Sequence, residues 1–355
     1  MIVPLHELEP NQEADVFALL AEKEFTKTKE GKPYIRVTFR DAKRALRFPI
    51  WSDTAIYKEV KAIKPGTYCK LRAVYRISNY GPQLDIHRIR ITEDADVQDG
   101  FNPVLLRPAS PIPAEQMFDE LHALVKQHLG TPSVAAHRSD GGTLSVAAHK
   151  SDGGKSKLHQ LVLNALKEYR EVLLLRVGSR QHHHCYIGGL LEHTLSVTKI
   201  AIALVDHYHK MYPDRKKEIS RPLVVAGAIL HDFGKIREYE PEVGSLQHSV
   251  AGELIGHAIL GRDIVREAAK GLELDPAIQT HLEHIIVSHQ RFADWGAAKP
   301  PMSIEAMIVH HADSCDALIG CLWNAFSQDP AEYALTSKKN VLGYPLLKPQ
   351  TLPES

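Results

Sequence analysis

The sequence predicts a multidomain chain of two opposite classes, an N-terminal all-β barrel followed by an all-α domain. Three observations carry that prediction. Between residues 15 and 92 apolar and charged side chains alternate with period two. A Pro-rich stretch interrupts the chain at 101–113, and from Leu158 to about Phe326 apolar residues recur at helical spacing with no alternating strand among them. At 355 residues there is length enough for two cores. No stretch is long and apolar enough to span a bilayer, and residues 1–10 lack the basic and apolar regions of a signal peptide, so no membrane partner is expected. Cys69, Cys185, Cys315 and Cys321 form no CxxC pair, which suits reduced thiols in the cytoplasm.

The strands come first. In KPYIRVTFRDA, Tyr34, Arg36, Thr38 and Arg40 alternate with Ile35, Val37 and Phe39, giving one cationic and one apolar face. In TYCKLRAVYRIS, Lys70, Arg72 and Arg76 oppose Cys69, Leu71, Ala73, Tyr75 and Ile77. Asn79-Tyr80-Gly81 is a hairpin turn signal, after which LDIHRIRI resumes as a strand. Short strands with Gly-bearing turns inside 1–100 suggest a small closed barrel of the OB-fold type, which offers a basic, aromatic-bearing face to single strands. The formal net charge is zero, yet from Lys23 to Arg90 there are 17 Lys plus Arg against 6 Asp plus Glu, a surplus of 11 positive charges. Tyr34, Trp51, Tyr57 and Tyr80 could then stack on bases while Arg36, Arg40, Lys70, Arg72 and Arg76 meet phosphates. Taken singly, each aromatic reads as readily as core and each charge as a solvated face. The strand-face pattern as a whole points to nucleic acid, single-stranded RNA or DNA.

Residues 101–157 read as a linker. It contains an amphipathic helix at 114–129, with Phe118, Leu121, Leu124, Val125 and His128 at helical spacing, and a tandem duplication, SVAAHRSDGG at 133–142 and SVAAHKSDGG at 145–154. Two short polar copies cannot stack into a solenoid, and one His per copy (His137, His149) makes a poor metal site, so a mobile loop is expected. Residues 158–329 form the all-α domain and 330–355 a loosely attached tail.

The chemistry concentrates at 223–235, LVVAGAILHDFGK, an apolar helical run ending in a His, an Asp and a Lys. A buried His231–Asp232 pair is costly unless something binds it, and adjacent helical positions let both reach one cation. Gly234 is expected to break the helix and admit a ligand close to the backbone, and Lys235 to meet a phosphate. Of the 21 His, 14 lie at or after His182. His193 sits in the apolar GGLLEHTLSVTKIAIALVDHY, and Asp313 follows His310 by one turn in MIVHHADSCDALIG. Two imidazoles and two carboxylates suit a divalent transition metal, Mn, Fe, Ni, Zn or Co, better than Mg or Ca alone. His257, His284 and His289 recur at helical positions and could ligate a second ion or hold the scissile phosphate.

The order His, His-Asp, Asp with the HDxGK ending resembles the HD-domain metal-dependent phosphohydrolases over roughly 158–326. HHHCYIGGLLEHT, LEHIIVSH and PPMSIEAMIVHHADSCDA, with KPYIRVTFRDA and NYGPQLDIHRIR ahead of them, look like the YhaM-type 3′-to-5′ exoribonucleases, which carry an OB-fold before the HD domain. The resemblance implies metal ligands at His193, His231, Asp232 and Asp313, with His257, His284 and His289 at further polar positions. Gln290 stands where members often carry a second consecutive His, and His248 could compete with His257 for one ligand place. The implied activity is metal-dependent 3′-to-5′ exonucleolytic hydrolysis of single-stranded RNA, or DNA, by a metal-activated water. Asp232 would bridge metals or take the water's proton, Lys235 would steady the phosphate, and the barrel would supply affinity. A homo-oligomer is compatible with this reading. The rival readings are a phosphohydrolase of free or cyclic nucleotides, for which a basic barrel has little use, and a non-catalytic nucleic-acid-binding protein.

Overall fold

A computed structural model describes residues 2–28, 30–78, 81–130, 156–179, 183–241, 247–329 and 333–350. Tyr80 and the SVAAH duplication lie outside the described residues. The chain divides into two compact units, Met1–Ala109 and Ser110–Ser355.

In the first unit five antiparallel strands, β1 (Glu13–Lys27), β2 (Pro33–Arg40), β3 (Ala45–Trp51), β4 (Thr67–Ser78) and β5 (Gly81–Ile91), form one sheet in the order β3-β2-β1-β4-β5. β3 lies against β5, and a short helix, α1 (Tyr57–Ala62), joins β3 to β4. This is the strand order of the expected OB-fold. The period-two alternation sets the register: Ile35, Val37 and Phe39 of β2 are buried and meet Ile50, Phe48 and Leu46 of β3, while Tyr34, Arg36 and Arg40 lie on the other face. On β4 the alternation holds through Arg72. A register shift between Arg72 and Ala73 then interrupts it, and Ile77, expected inside, is exposed.

The expected linker is divided between the units. Phe101 and Leu106 pack on Phe17 and Leu19 of the barrel, and Ala42 N donates to Leu105 O. Helix α2 (Ala114–Leu129) belongs to the helical core through Met117, Phe118, Leu121, Val125 and Leu129. The tail is also better held than expected. Leu346 and Thr336 are buried, Leu346 N donates to Thr336 Oγ1 at 3.0 Å, and Lys348 Nζ lies 3.1 Å from Asp329 Oδ1.

The second unit is all-α among its described residues. The helical run after residue 157 breaks at Tyr169 into α3 (Lys157–Glu168) and α4 (Arg170–Leu175). There follow α5 (Gly189–Met211), α6 (Arg221–Leu230), α7 (Lys235–Glu238), α8 (Val250–Ile255), α9 (His257–Ala268), α10 (Pro276–Ser288) and α11 (Ile304–Gln328). Helix α6 is the axis. Every residue from Leu223 to Leu230 is buried, against amphipathic neighbours that bury one face each. Five large aliphatic side chains on it, at about 1.5–3 kcal/mol each, contribute on the order of 10 kcal/mol. That gain offsets the cost of the polar cluster at its C-terminal end. Side-chain caps fix where α10 and α11 begin: Asp275 Oδ1 accepts from Ala277 N at 2.7 Å, and Ser303 Oγ accepts from Ala306 N at 3.1 Å.

Candidate metal centre

Three helices deliver the site. His231 caps the C-terminus of α6, Asp232 follows it, His193 comes from the second turn of α5 and Asp313 from the middle of α11. His193 and His231 are fully buried and Asp232 is 2% exposed. The Asp313 side chain keeps 15% of its surface exposed and is the open side of the set. His193 Nε2 lies 3.2 Å from Asp313 Oδ1, 3.4 Å from Asp232 Oδ2 and 3.2 Å from His231 Nε2. The four expected ligands therefore converge.

The tautomers make the set demand a cation. His231 Nδ1 donates to Ala228 O at 2.8 Å, and His193 Nδ1 donates to Asp316 Oδ2 at 2.7 Å. Each ring therefore presents a bare lone pair on Nε2, and two such lone pairs 3.2 Å apart repel unless a proton or a metal lies between them. Burial would drive protons off His193, but Asp232, Asp313 and Asp316 overcome it and raise its pKa well above the usual imidazole value. At His231 burial wins and the value falls to about 4. Burial also works against ionising the two carboxyls. Lys235 and the imidazole at 231 hold Asp232 well below its ordinary value, and His193 and His231 do the same for Asp313. A pocket that holds its carboxylates ionised and recruits protons onto an imidazole fits a divalent ion that would take those protons' place.

A second set adjoins the first through Asp232. Its Oδ1 faces away from His193, at 3.6 Å from His257 Nε2 and 3.5 Å from His289 Nε2. His289 caps α10 as His231 caps α6, with Nδ1 donating to Ile286 O at 2.7 Å. His289 Nε2 and Asp232 Oδ1 are buried without a hydrogen-bond partner among the described residues. Asp232 thus offers one oxygen to each set, the arrangement of a carboxylate able to bridge two ions.

Other expectations need correction. His284 does not join the cluster: its Nε2 accepts from Met302 N at 2.9 Å, fixing the loop before α11. His248 pairs with Glu253 at 3.2 Å, leaving the ligand position to His257. Lys235 Nζ is buried against Asp232 Oδ2 at 2.6 Å, so its charge is aimed at the carboxylate rather than held open for a phosphate. Gly234 has helical φ of −60° and leaves its space to protein, not ligand. A Cβ there would stand 1.8 Å from His257 O, so glycine is what lets α9 bring His257 to the site.

Three supporting residues were not anticipated. Asp316, one turn after Asp313, orients His193 and also accepts from His184 Nε2 at 2.9 Å and from Ser196 Oγ. Glu238 Oε1 accepts from His257 Nδ1 at 2.9 Å. His310 Nδ1 donates to His289 O at 2.7 Å, propping the end of α10. Only Asp316 had a signal in the sequence, the D-x-x-D spacing of ADSCDA.

On the barrel the expected cationic face resolves into two halves. On β2 and β3, Tyr34 and Trp51 are cross-strand partners with ring centroids 5.0 Å apart. Arg36 stacks on Tyr34 and Lys32 on Trp51, which makes one aromatic-cationic patch. Arg36 also lies 3.2 Å from Glu24 and Lys32 2.7 Å from Asp53, and on β4 the cations are likewise matched by acids. Lys70 meets Asp96 and Asp99, Arg72 meets Glu13 and Asp15, and Arg76 lies 3.5 Å from Asp85. Arg40 turns its Nε to Asp41 O. The charge surplus is partly offset because Glu13, Asp15, Asp96 and Asp99 stand just outside the counted stretch.

Residues 190–318 match the HD-domain family model. The second unit thus contains an HD domain at 190–318, with two His and two Asp converging at the end of a buried helix as a donor set that could hold a metal. Over both units the chain is similar to proteins named 3′-5′ exoribonuclease YhaM. It is 28% identical to that of Listeria welshimeri over 320 residues, covering 90% of this chain and 89% of the relative. Against those of Oceanobacillus iheyensis and Bacillus subtilis the identities are 26% and 25%, covering 91% and 93% of this chain and 90% and 93% of the relatives.

Proposed function

We propose that this protein is a metal-dependent 3′-to-5′ exoribonuclease, a phosphodiester hydrolase whose HD domain carries the chemistry and whose OB-fold holds single-stranded RNA. The observation that carries the reading is the convergence of His193, His231, Asp232 and Asp313 with both imidazole lone pairs turned inward. The similarity over both units to YhaM exoribonucleases supports the substrate class. His193, His231, Asp232 and Asp313 would hold one divalent ion, and Asp232, His257 and His289 a second, with Mn²⁺ favoured by the mixed nitrogen and oxygen donors. When bound, such an ion supplies positive charge to a non-bridging phosphate oxygen and acidifies a water molecule. Asp232, shared by both sets, would hold both ions, and Lys235 keeps that carboxylate ionised for the purpose. The exposed edge of Asp313 marks the side from which the phosphate enters.

On the barrel, Tyr34 and Trp51 stack on bases, with Arg36 and Lys32 beside them for phosphates. The reading also includes a cytoplasmic location, supported by four unpaired cysteines; among the described residues no helix is long and apolar enough to cross a membrane. Incubating 3′-blocked and 5′-blocked single strands of RNA and DNA with a panel of metals tests the activity. Degradation of the 5′-blocked RNA alone, dependent on added Mn²⁺, is expected. Equal turnover of a blocked 3′ end, or hydrolysis of free nucleotides only, would refute it.

A further inference from the structure

Gln290 follows His289 and reaches back to the second donor set, where its Nε2 lies 3.0 Å from His257 Nε2. The tautomer of His257 decides what this contact is. Its Nδ1 faces Glu238 Oε1 at 2.9 Å, and an ionised carboxylate only accepts, so Nδ1 carries the proton and Nε2 presents its lone pair. The Gln290 amide therefore donates into the lone pair that a cation would use.

The other end of the amide is unengaged. Gln290 Oε1 is buried without a hydrogen-bond partner among the described residues, as are the neighbouring Asp232 Oδ1 and His289 Nε2. Room for that oxygen is left by Gly296, which has a positive φ of 102° and whose absent Cβ would stand 3.3 Å from it. Among the described residues no amide is bonded to the first set, in which the Nε2 atoms of His193 and His231 face each other. The two halves of the cluster are thus unequal: in the first the engaged donor is a carboxylate oxygen, Asp232 Oδ2 held by Lys235, and both imidazole Nε2 atoms face inward, whereas in the second an imidazole lone pair is tied up.

We propose that Gln290 sets the affinity of the second cation position by latching His257. Resting on the metal-centre reading above, this makes the chain take one divalent ion tightly at His193, His231, Asp232 and Asp313. A second ion binds only weakly at Asp232, His257 and His289. Occupancy of the second position requires the amide to release His257. A half-turn of the amide would then present Oε1, an oxygen donor suited to Mn²⁺, where the N–H had been.

The test is Mn²⁺ binding to the full chain, stripped of metal, by equilibrium dialysis, with electron paramagnetic resonance to detect coupled Mn²⁺ pairs. Wild type is expected to bind one ion tightly and a second at least tenfold more weakly. Gln290→Ala, which removes the donor, should strengthen the second position about threefold to tenfold, the worth of one hydrogen bond. The near-isosteric Gln290→Glu, which removes the same donor and adds a carboxylate, should strengthen it further, with the pair signal at lower Mn²⁺. Circular dichroism checks that both variants fold. One tight ion in all three proteins with an unchanged second position would overturn this inference and leave the metal centre standing, as would two equal sites in wild type. Absence of Mn²⁺ binding in every protein would overturn both.

Discussion

The two units treat charge in opposite ways. On the barrel, Lys70, Arg72 and Arg76 each find a carboxylate on a neighbouring strand or turn; the Arg72 and Arg76 pairs are exposed to water, where such pairs contribute little and can exchange partners, while Lys70 pairs with the buried Asp96. In the HD domain, imidazoles and carboxylates are withdrawn from water and pointed at one another, with Asp232 Oδ1 and His289 Nε2 left without a hydrogen-bond partner among the described residues. The first arrangement is complete as it stands. The second is a donor set that one or more cations would complete. Charged residues in a sequence therefore report function less by their number than by whether the fold leaves them unanswered.

Removing the shared carboxylate should break the comparison most severely. Asp232→Ala is expected to abolish hydrolysis and metal retention while leaving single-strand RNA binding intact, measured by gel-based degradation and fluorescence anisotropy; loss of both together would contradict the division between units. Next comes Asp316→Ala, which leaves all four ligands but frees the His193 ring. Mn²⁺ affinity by titration calorimetry should fall about 10- to 100-fold. Unchanged affinity would mean that Asp316 only fills space.

The barrel sharpens the contrast at smaller scale. Trp51→Ala should weaken oligoribonucleotide binding by about 1–3 kcal/mol, the worth of one stacked base, with hydrolysis of a small phosphodiester unchanged. Lys70→Ala should alter that binding least, because Asp96 and Asp99 already hold the ammonium; a large loss would show that the pair opens for phosphate. Acid exposes the same pairing from the other side. Arg90 first, then Glu93 N and Lys70, holds the Asp96 carboxyl well below its ordinary 3.8. A depressed folded-state value stabilises above the unfolded pKa, and that stability is lost as pH falls through the folded one. Thermal melts between pH 5 and 2 should show a smaller acid loss in Asp96→Asn than in wild type, and parallel losses would contradict the assignment.

Both folds were legible because each rests on a periodicity: Ile35, Val37 and Phe39 alternate, and Leu223–Leu230 run apolar into His231. The four converging side chains, His193, His231, Asp232 and Asp313, were legible because a polar group in an apolar helix needs a reason. What escaped was set by contacts distant in sequence. The acids that answer Lys70 and Arg72 come from β1 and from the turn after β5. Gly234 is explained only by the approach of His257, and His284 shares its helix with His289 but faces a different loop. Asp316 was hidden behind Asp313, since a residue that orients a ligand has the same spacing as any second carboxylate on a helix.

The central claim is tested most directly by diffraction from crystals grown with Mn²⁺, with data collected on both sides of the manganese absorption edge. The account predicts an anomalous peak bounded by His193 Nε2, His231 Nε2 and the carboxylates of Asp232 and Asp313. A fully loaded crystal with no peak there, or with manganese only at sites that exclude those four side chains, would contradict it.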